Sequence, residues 1–331
     1  MRAAYIEQTG PAESIQVGEI PTPEPGAGQV LVRVKVAAFN PIDLYLRSGM
    51  VAMIQSFPYV VGTDLAGTVE AIGPGVTRHK VGDRVWGSNQ GLVGRQGSAA
   101  EFAAIDEDWL YPTPANQPDA EAAGQALVGI TAHLGLIAKA GLKAGETVYV
   151  PGGTGGTGSM VVQMAKAVGA RVATSSGTPE RMEQAKGLGA DLALNYKTDD
   201  IPARLREFAP DGLDVWYENQ REPNFEVAIP LLKKGGRMVV IAGRAAKPSF
   251  PVGPFYTRDC TVYGFAMFNA SPAEQLRSAE DINRWVAAGQ LRTIIGRSFP
   301  LGETAEAQKF LEENTTGAAG TLTGKVIVEV A

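Results

Sequence analysis

Apolar positions change their rhythm part-way along this chain. Early on they come in short runs broken by glycine and proline. Val30-Leu31-Val32-Arg33-Val34-Lys35-Val36 is β-branched, and Arg33 and Lys35 interrupt it in alternation, which predicts a strand with one wet face. Residues 62–73 predict a second strand region whose glycines mark bends or close backbone approach. Pro74-Gly75 predicts a turn, and residues 81–86 a further short strand. Many short strands between Gly/Pro turns predict a barrel-like β domain.

Near residue 122 the pattern switches. Residues 122–140 lack proline and are rich in Ala, Leu and Ile, so they predict a helix. From Glu146 onward, strand and helix patterns alternate. Thr147-Val148-Tyr149-Val150 is a buried-type strand, 159–168 an amphipathic helix, 171–174 a strand and 179–188 a helix. Strand-like segments at 192–194, 215–217, 238–241 and 261–263 continue the series. This alternation predicts a parallel sheet with helices on both faces. A helix over 273–288 and a strand over 325–330 complete the pattern.

A glycine-rich motif gives the second half its chemistry. Gly153-Thr154-Gly155-Gly156-Thr157-Gly158 fits G-x-G-x-x-G, and it lies between a predicted strand and a predicted helix. Glycines there permit a tight turn and let backbone N–H groups approach a pyrophosphate at a helix N-terminus. Coenzyme choice is read at the end of the next strand. An NAD site places a carboxylate there for the ribose hydroxyls. This chain has Thr174-Ser175-Ser176-Gly177-Thr178, with Arg181 one helical turn on. Hydroxyls and an arginine suit a 2′-phosphate, so the expected coenzyme is NADPH.

Composition then removes alternatives. With 331 residues, two domains are expected. A net charge of −5 argues against a nucleic-acid surface. One cysteine (Cys260) and two histidines (His79 and His133) are too few for a closed structural zinc site, which takes about four such ligands, so no metal is expected. The lone cysteine fits a reducing compartment. The first residues run into a strand-like segment without an apolar signal core, and no stretch reaches the roughly 18 apolar residues of a membrane span. A cytoplasmic protein without membrane contact is expected.

Several segments carry a family resemblance. They are Asn40-Pro41-Ile42-Asp43-Leu44-Tyr45-Leu46-Arg47-Ser48-Gly49, Gly62-Thr63-Asp64-Leu65-Ala66-Gly67, Val81-Gly82-Asp83-Arg84-Val85 and Gly97-Ser98-Ala99-Ala100-Glu101-Phe102. Gly129-Ile130-Thr131-Ala132, the glycine loop and Gly235-Gly236-Arg237-Met238-Val239-Val240 continue the series in order. Together they resemble the zinc-free quinone oxidoreductase branch of the medium-chain dehydrogenase/reductase superfamily. The tail, with Gly317-Ala318-Ala319-Gly320 and Gly324-Lys325-Val326, looks like its ζ-crystallin-like members.

The resemblance implies an α/β fold in which a Rossmann doubly wound parallel sheet is inserted in a GroES-like β-barrel domain. Residues 1–122 and 270–331 would form the GroES-like catalytic domain, and 123–269 the NADP(H)-binding domain. Zinc-dependent relatives carry a histidine where this chain has Thr63-Asp64 and a cysteine near Asn40. By the same resemblance, Tyr45 lies near the nicotinamide and Thr131 against its side. Thr154, Gly155, Gly156 and Thr157 hold the pyrophosphate. Gly177 and Arg181 form the 2′-phosphate loop, and Tyr196 packs near the adenosine phosphate. Val239, Val240, Ile241 and Ala242 lie beneath the nicotinamide, and Ala266, Met267 and Phe268 bind its carboxamide. The turn Glu218-Asn219-Gln220-Arg221-Glu222-Pro223-Asn224 departs from the small Gly-rich turn of relatives, which bears on acceptor range.

The expected activity is NADPH-dependent reduction of a small-molecule quinone, with Tyr45 and Asn40 donating hydrogen bonds to a quinone oxygen. Two alternatives stand beside it: an NADPH-dependent enone or enoyl-thioester reductase using Tyr45 as proton donor, and an NADPH-binding RNA-binding or crystallin-like protein. Residues 261–268 predict an apolar edge strand that pairs with its two-fold copy, giving a homodimer or homotetramer. Asp64 is expected to pair with Arg47. His79 is expected in a surface loop, His133 in the core, and Cys260 in no redox role.

Overall fold

The computed structural model describes residues 1–317 and 319–330. Ala318, in the glycine- and alanine-rich tail segment, lies outside the described residues. The chain divides into two units, Met1–Leu127 with Ser271–Ala287 and Arg292–Ala331, and Val128–Ala270 with Ala288–Leu291.

The first unit is built from both ends of the chain. Its long strand, Gln29–Phe39, exposes Arg33 and Lys35 and buries the residues between and beyond them. This strand pairs antiparallel with Asp64–Ile72, with Phe102–Asp106 and with Lys325–Glu329, Val326 lying opposite Phe39. Among the described residues this sheet has seven strands, and Arg2–Ile6 lies in a second sheet between Gln16–Glu19 and Tyr59–Val60. The short strand predicted over 81–86 begins only at Arg84, because Gly82 turns the chain at φ +92°. Two helices of this unit position functional residues. α1 (Pro41–Arg47) starts on a capping box made by Asn40 and Asp43, with Pro41 at its first position. α2 (Asp119–His133) runs on into the second unit.

The second unit holds a six-stranded parallel sheet. Its strands are β1 (Thr147–Pro151), β2 (Arg171–Ser176), β3 (Leu192–Asn195), β4 (Leu213–Glu218), β5 (Leu232–Val240) and β6 (Thr261–Gly264). The spatial order is β3-β2-β1-β4-β5-β6, that of a doubly wound dinucleotide fold whose switch point lies between β1 and β4. β1 and β4 are buried throughout, as central parallel strands must be. β6 pairs only with β5 among the described residues, so it is the sheet's edge. α3 (Gly156–Val168) follows β1 and stops at Gly169, whose φ of +92° suits a left-handed cap.

The helix predicted over 122–140 is α-helical only to His133. Leu134–Lys139 is one wider π-helical turn. Gly135 in that turn lies against Tyr217, where a Cβ would come within 2.7 Å of the phenol oxygen.

Candidate active site

The loop between β1 and α3 is closed on itself. Gly152 has φ +66°, donates its N–H to Ser175 O at 2.9 Å and accepts from Gly155 N at 2.9 Å. A Cβ on Gly153 would overlap Thr174 Oγ1, and one on Gly158 would overlap Gly152 O. Thr174 Oγ1 itself donates to Val150 O at 2.6 Å. The N-cap of α3 is Gly155, which has no side chain to satisfy the first-turn N–H groups. A helix dipole and uncapped amides at the carboxyl end of β1 suit a pyrophosphate.

At the end of β2, the structure brings Gly177 and Tyr196 together: a Cβ on Gly177 would lie 2.8 Å from Tyr196 Cζ. Thr178 caps the helix Pro179–Gly187 by accepting from Arg181 N at 3.4 Å, which places Arg181 in its first turn. Ser176 Oγ is buried and has no partner among the described residues. Glu180 is nearby, but its carboxylate is bound to its own backbone N–H and to Thr178, which holds its pKa below the usual range. No carboxylate occupies the strand end itself. An orphaned hydroxyl, a glycine cradle and an adjacent arginine fit a phosphorylated ribose.

The third group of residues lies around β4 and β5. Val239 pairs with Tyr263 and Val240 with Gly264, and Ile241 donates its N–H to Glu218 O at 3.2 Å. Met267 is buried in the short turn Met267–Asn269, which follows Ala266. Thr131 Oγ1 is buried without a partner among the described residues. Thr131 O accepts from Tyr217 OH at 2.9 Å. Glu218, also buried, accepts from Gln220 N at 2.8 Å and from Trp216 Nε1 at 3.1 Å, and so pins the start of the bulky 218–224 turn. Burial pushes its pKa up. Tyr217 carries no signal in the sequence, because nothing local marks a strand residue as the partner of a distant helix carbonyl.

In the first unit, Asn40 and Tyr45 belong to one turn and helix but differ in setting. Tyr45 is half-buried on α1. Asn40 is 1% exposed. Its Nδ2 donates to Thr63 Oγ1 at 3.0 Å and to Asp64 Oδ2 at 2.7 Å, while Oδ1 accepts from Lys325 Nζ. Since a carboxylate only accepts and an ammonium only donates, these partners also fix which way the amide points. Both Asn40 amide protons are therefore spent inside the unit. Direct donation to a quinone oxygen, the role expected from the sequence, is not open to it; it organises the cluster instead.

Asp64 does not pair with Arg47. Its carboxylate accepts from Asn40, from Ser88 Oγ at 2.6 Å and from Leu127 N at 3.2 Å, and lies 3.8 Å from Lys325 Nζ. Arg47 is fully buried and bonds Glu312 at 2.7 Å. His79 is buried rather than on the surface, and burial lowers its pKa. His133 is buried. Cys260 is buried, and burial raises the pKa of its thiol. Among the described residues, no three His, Cys, Asp or Glu side chains are grouped to hold a metal ion.

Asp43 gives this unit a pH signature. Oδ2 accepts from Asn40 N at 2.7 Å and from Thr63 Oγ1 at 3.1 Å, whereas Oδ1 is buried without a partner among the described residues. Burial pushes the Asp43 pKa up to about 8, and Asp64 adds to the shift. The folded pKa exceeds the unfolded one, so this group's contribution to stability is full below about pH 4 and is lost as pH rises toward 8. We predict that Asp43→Asn removes a slope of at most about 1.4 kcal/mol per pH unit from the urea-unfolding free energy across that window. Parallel pH profiles for variant and parent would contradict the assignment.

Comparison with known proteins adds to this geometry. Residues 26–115 match the alcohol dehydrogenase GroES-like domain, and residues 156–282 match the zinc-binding dehydrogenase family. Human quinone oxidoreductase is 30% identical over 332 residues, covering 99% of this chain and 97% of that protein. The chloroplastic NADPH-dependent alkenal/one oxidoreductase of Arabidopsis thaliana is 33% identical over 99% of this chain and 79% of its own length. Among solved structures, a mycobacterial protein complexed with NADPH superimposes with a TM-score of 0.86 at 27% identity, both chains being covered completely.

Proposed function

We propose that this chain, which belongs to the quinone oxidoreductase branch of the medium-chain dehydrogenase/reductase superfamily, reduces a small-molecule quinone with NADPH by direct transfer and without a metal. The observation that carries the reading is the coenzyme crevice: a closed glycine loop, an uncapped α3 and a β2 end lacking a carboxylate. Full-length similarity to quinone oxidoreductase supports the reaction.

When bound, NADPH supplies the hydride. In this reading, residues 154–157 bind the pyrophosphate, and Gly177, Arg181 and Tyr196 hold the 2′-phosphate end. Thr131, residues 239–242 and residues 266–268 confine the nicotinamide. Tyr45 donates to the acceptor oxygen, and Asn40 acts behind it by capping α1. Residues 123–269 are assigned to coenzyme and the rest to acceptor. A quinone needs little beyond a held ring and excluded water. NADPH should bind at least tenfold tighter than NADH, about 1.4 kcal/mol, and Arg181→Ala should narrow that gap by weakening NADPH. Equal affinities in fluorescence titrations would remove the basis for the 2′-phosphate assignment.

Enone reduction is the second reading, favoured by the 33% identity to an alkenal/one oxidoreductase. It requires a proton for the α-carbon, and Tyr45 supplies it. Chelator-dialysed protein assayed with 1,2-naphthoquinone, a simple enone and a crotonyl thioester separates the two. The first reading expects the quinone to be preferred; enone or thioester turnover without quinone turnover would replace it with the second.

A cytosolic setting is part of the proposal, resting on the single buried cysteine. Among the described residues no helix is long and apolar enough to cross a membrane. The free edge of β6 supports a homodimer or homotetramer formed by strand pairing about a two-fold axis. Sedimentation at micromolar concentration should give at least twice the 34.8 kDa chain mass. A fully active single-chain species would contradict it.

A further inference from the structure

We propose that Tyr217 is a positioning residue for the coenzyme: its hydroxyl on Thr131 O fixes the junction between α2 and the π-helical turn, and thereby aims Thr131 Oγ1 at the nicotinamide. The proposal rests on the reading that Thr131 borders the nicotinamide, and goes beyond it by naming what sets the threonine.

Four observations converge. Tyr217 is fully buried near the carboxyl end of β4, one of the two strands flanking the switch point where doubly wound sheets bind ligands. Its OH donates to Thr131 O at 2.9 Å, and burial raises its pKa, so the phenol stays a protonated donor. The bond meets the helix beside a π-helical turn, a departure from α geometry that recurs at functional sites. Finally, Gly135 in that turn leaves no room for a side chain: a Cβ would be 2.7 Å from Tyr217 OH and 2.9 Å from Val239 Cγ1. Gly135 thus packs closely against Tyr217 and Val239, and Tyr217 in turn holds Thr131 O.

What remains is the Thr131 hydroxyl. It is buried and has no partner among the described residues. An unmade buried hydrogen bond costs about 1–3 kcal/mol, which a ligand's polar group can recover. A buried tyrosine that only needed a home for its own proton would also donate to a carbonyl. The two roles differ in the consequence of losing the bond.

The test uses Tyr217→Phe, which keeps the packed ring, and Thr131→Val, which keeps the threonine's shape. Bound NADPH is followed by nicotinamide fluorescence, and single-turnover transfer to 1,2-naphthoquinone is timed in the same preparations. Each variant should change the bound-coenzyme emission and slow transfer about tenfold. The NADPH/NADH affinity ratio should stay as in the parent, because the 2′-phosphate end is untouched. The double variant should be no worse than the poorer single one, since each forfeits the same proposed contact of Thr131 Oγ1 with the nicotinamide. Emission and transfer rate unchanged in Tyr217→Phe, with only a lower unfolding midpoint, would overturn the proposal. So would strictly additive losses. The fluorescence arm needs no acceptor, so it decides on Tyr217 even if the parent reduces no quinone. A parent that binds NADPH yet reduces no quinone defeats the function reading alone.

Discussion

Gly158→Ala is expected to weaken NADPH binding by at least about a hundredfold, roughly 2.7 kcal/mol, while leaving the first unit folded. The added Cβ would overlap Gly152 O and stand 2.9 Å from Gly152 C and 3.2 Å from Gly153 Cα. All three are backbone atoms of the loop that also donates Gly152 N to Ser175 O. They cannot yield as a flexible side chain would, so the loop must open at its base. Its amides then leave the positions a pyrophosphate requires, and displacements of about 1 Å at a binding centre cost around two orders of magnitude. Overpacking adds about 1–3 kcal/mol of instability to the second unit, so titrations should be paired with thermal unfolding. A folded variant binding NADPH within threefold of the parent would show that this loop does not carry the pyrophosphate.

Lys325→Met should destabilise the first unit by about 3–5 kcal/mol. Lys325 and Asp64 side chains are 4% and 0% exposed. Burial pushes the Lys325 pKa down and the Asp64 pKa up, and each partner opposes the shift of the other. Methionine fills similar space but leaves the Asp64 carboxylate buried with only the neutral donors of Asn40, Ser88 and Leu127. Because the uncompensated charge is the cause, Asp64→Asn in the Lys325→Met background should recover most of the loss. The urea-unfolding free energies of parent, both single variants and the double variant measure this directly. A loss below about 1 kcal/mol, or a double variant worse than Lys325→Met, would contradict the charge-pair account.

Where the chain's chemistry is local, the sequence is readable. The glycine spacing at 153–158, the strand before it and the helix after it lie within about 20 residues, and the structure assembles them from that neighbourhood. The absent carboxylate at the end of β2 is likewise a property of five consecutive residues. Reading fails where partners are far apart. Arg47 carries nothing that points to Glu312, 265 residues away. Lys325 sits in an apolar terminal strand whose register against Gln29–Phe39 decides that its ammonium meets Asn40 and Asp64. The Asn40 amide looks like a free donor until Thr63, Asp64 and Lys325 are placed round it. His79 has a polar sequence context, Arg78 and Lys80, yet the chain folds over it. The π-helical turn is invisible to periodicity, and the close approach of its Gly135 to Tyr217 involves a residue on another element.

The most direct test of the account is one turnover. Protein dialysed against a chelator is loaded with stoichiometric NADPH and mixed rapidly with excess 1,2-naphthoquinone. The account predicts that the 340 nm absorbance of bound coenzyme decays in a single phase, at a rate that saturates with quinone concentration, with no added metal. NADPH that stays reduced until a divalent metal is restored, or a decay no faster than in the Gly158→Ala protein, would contradict it.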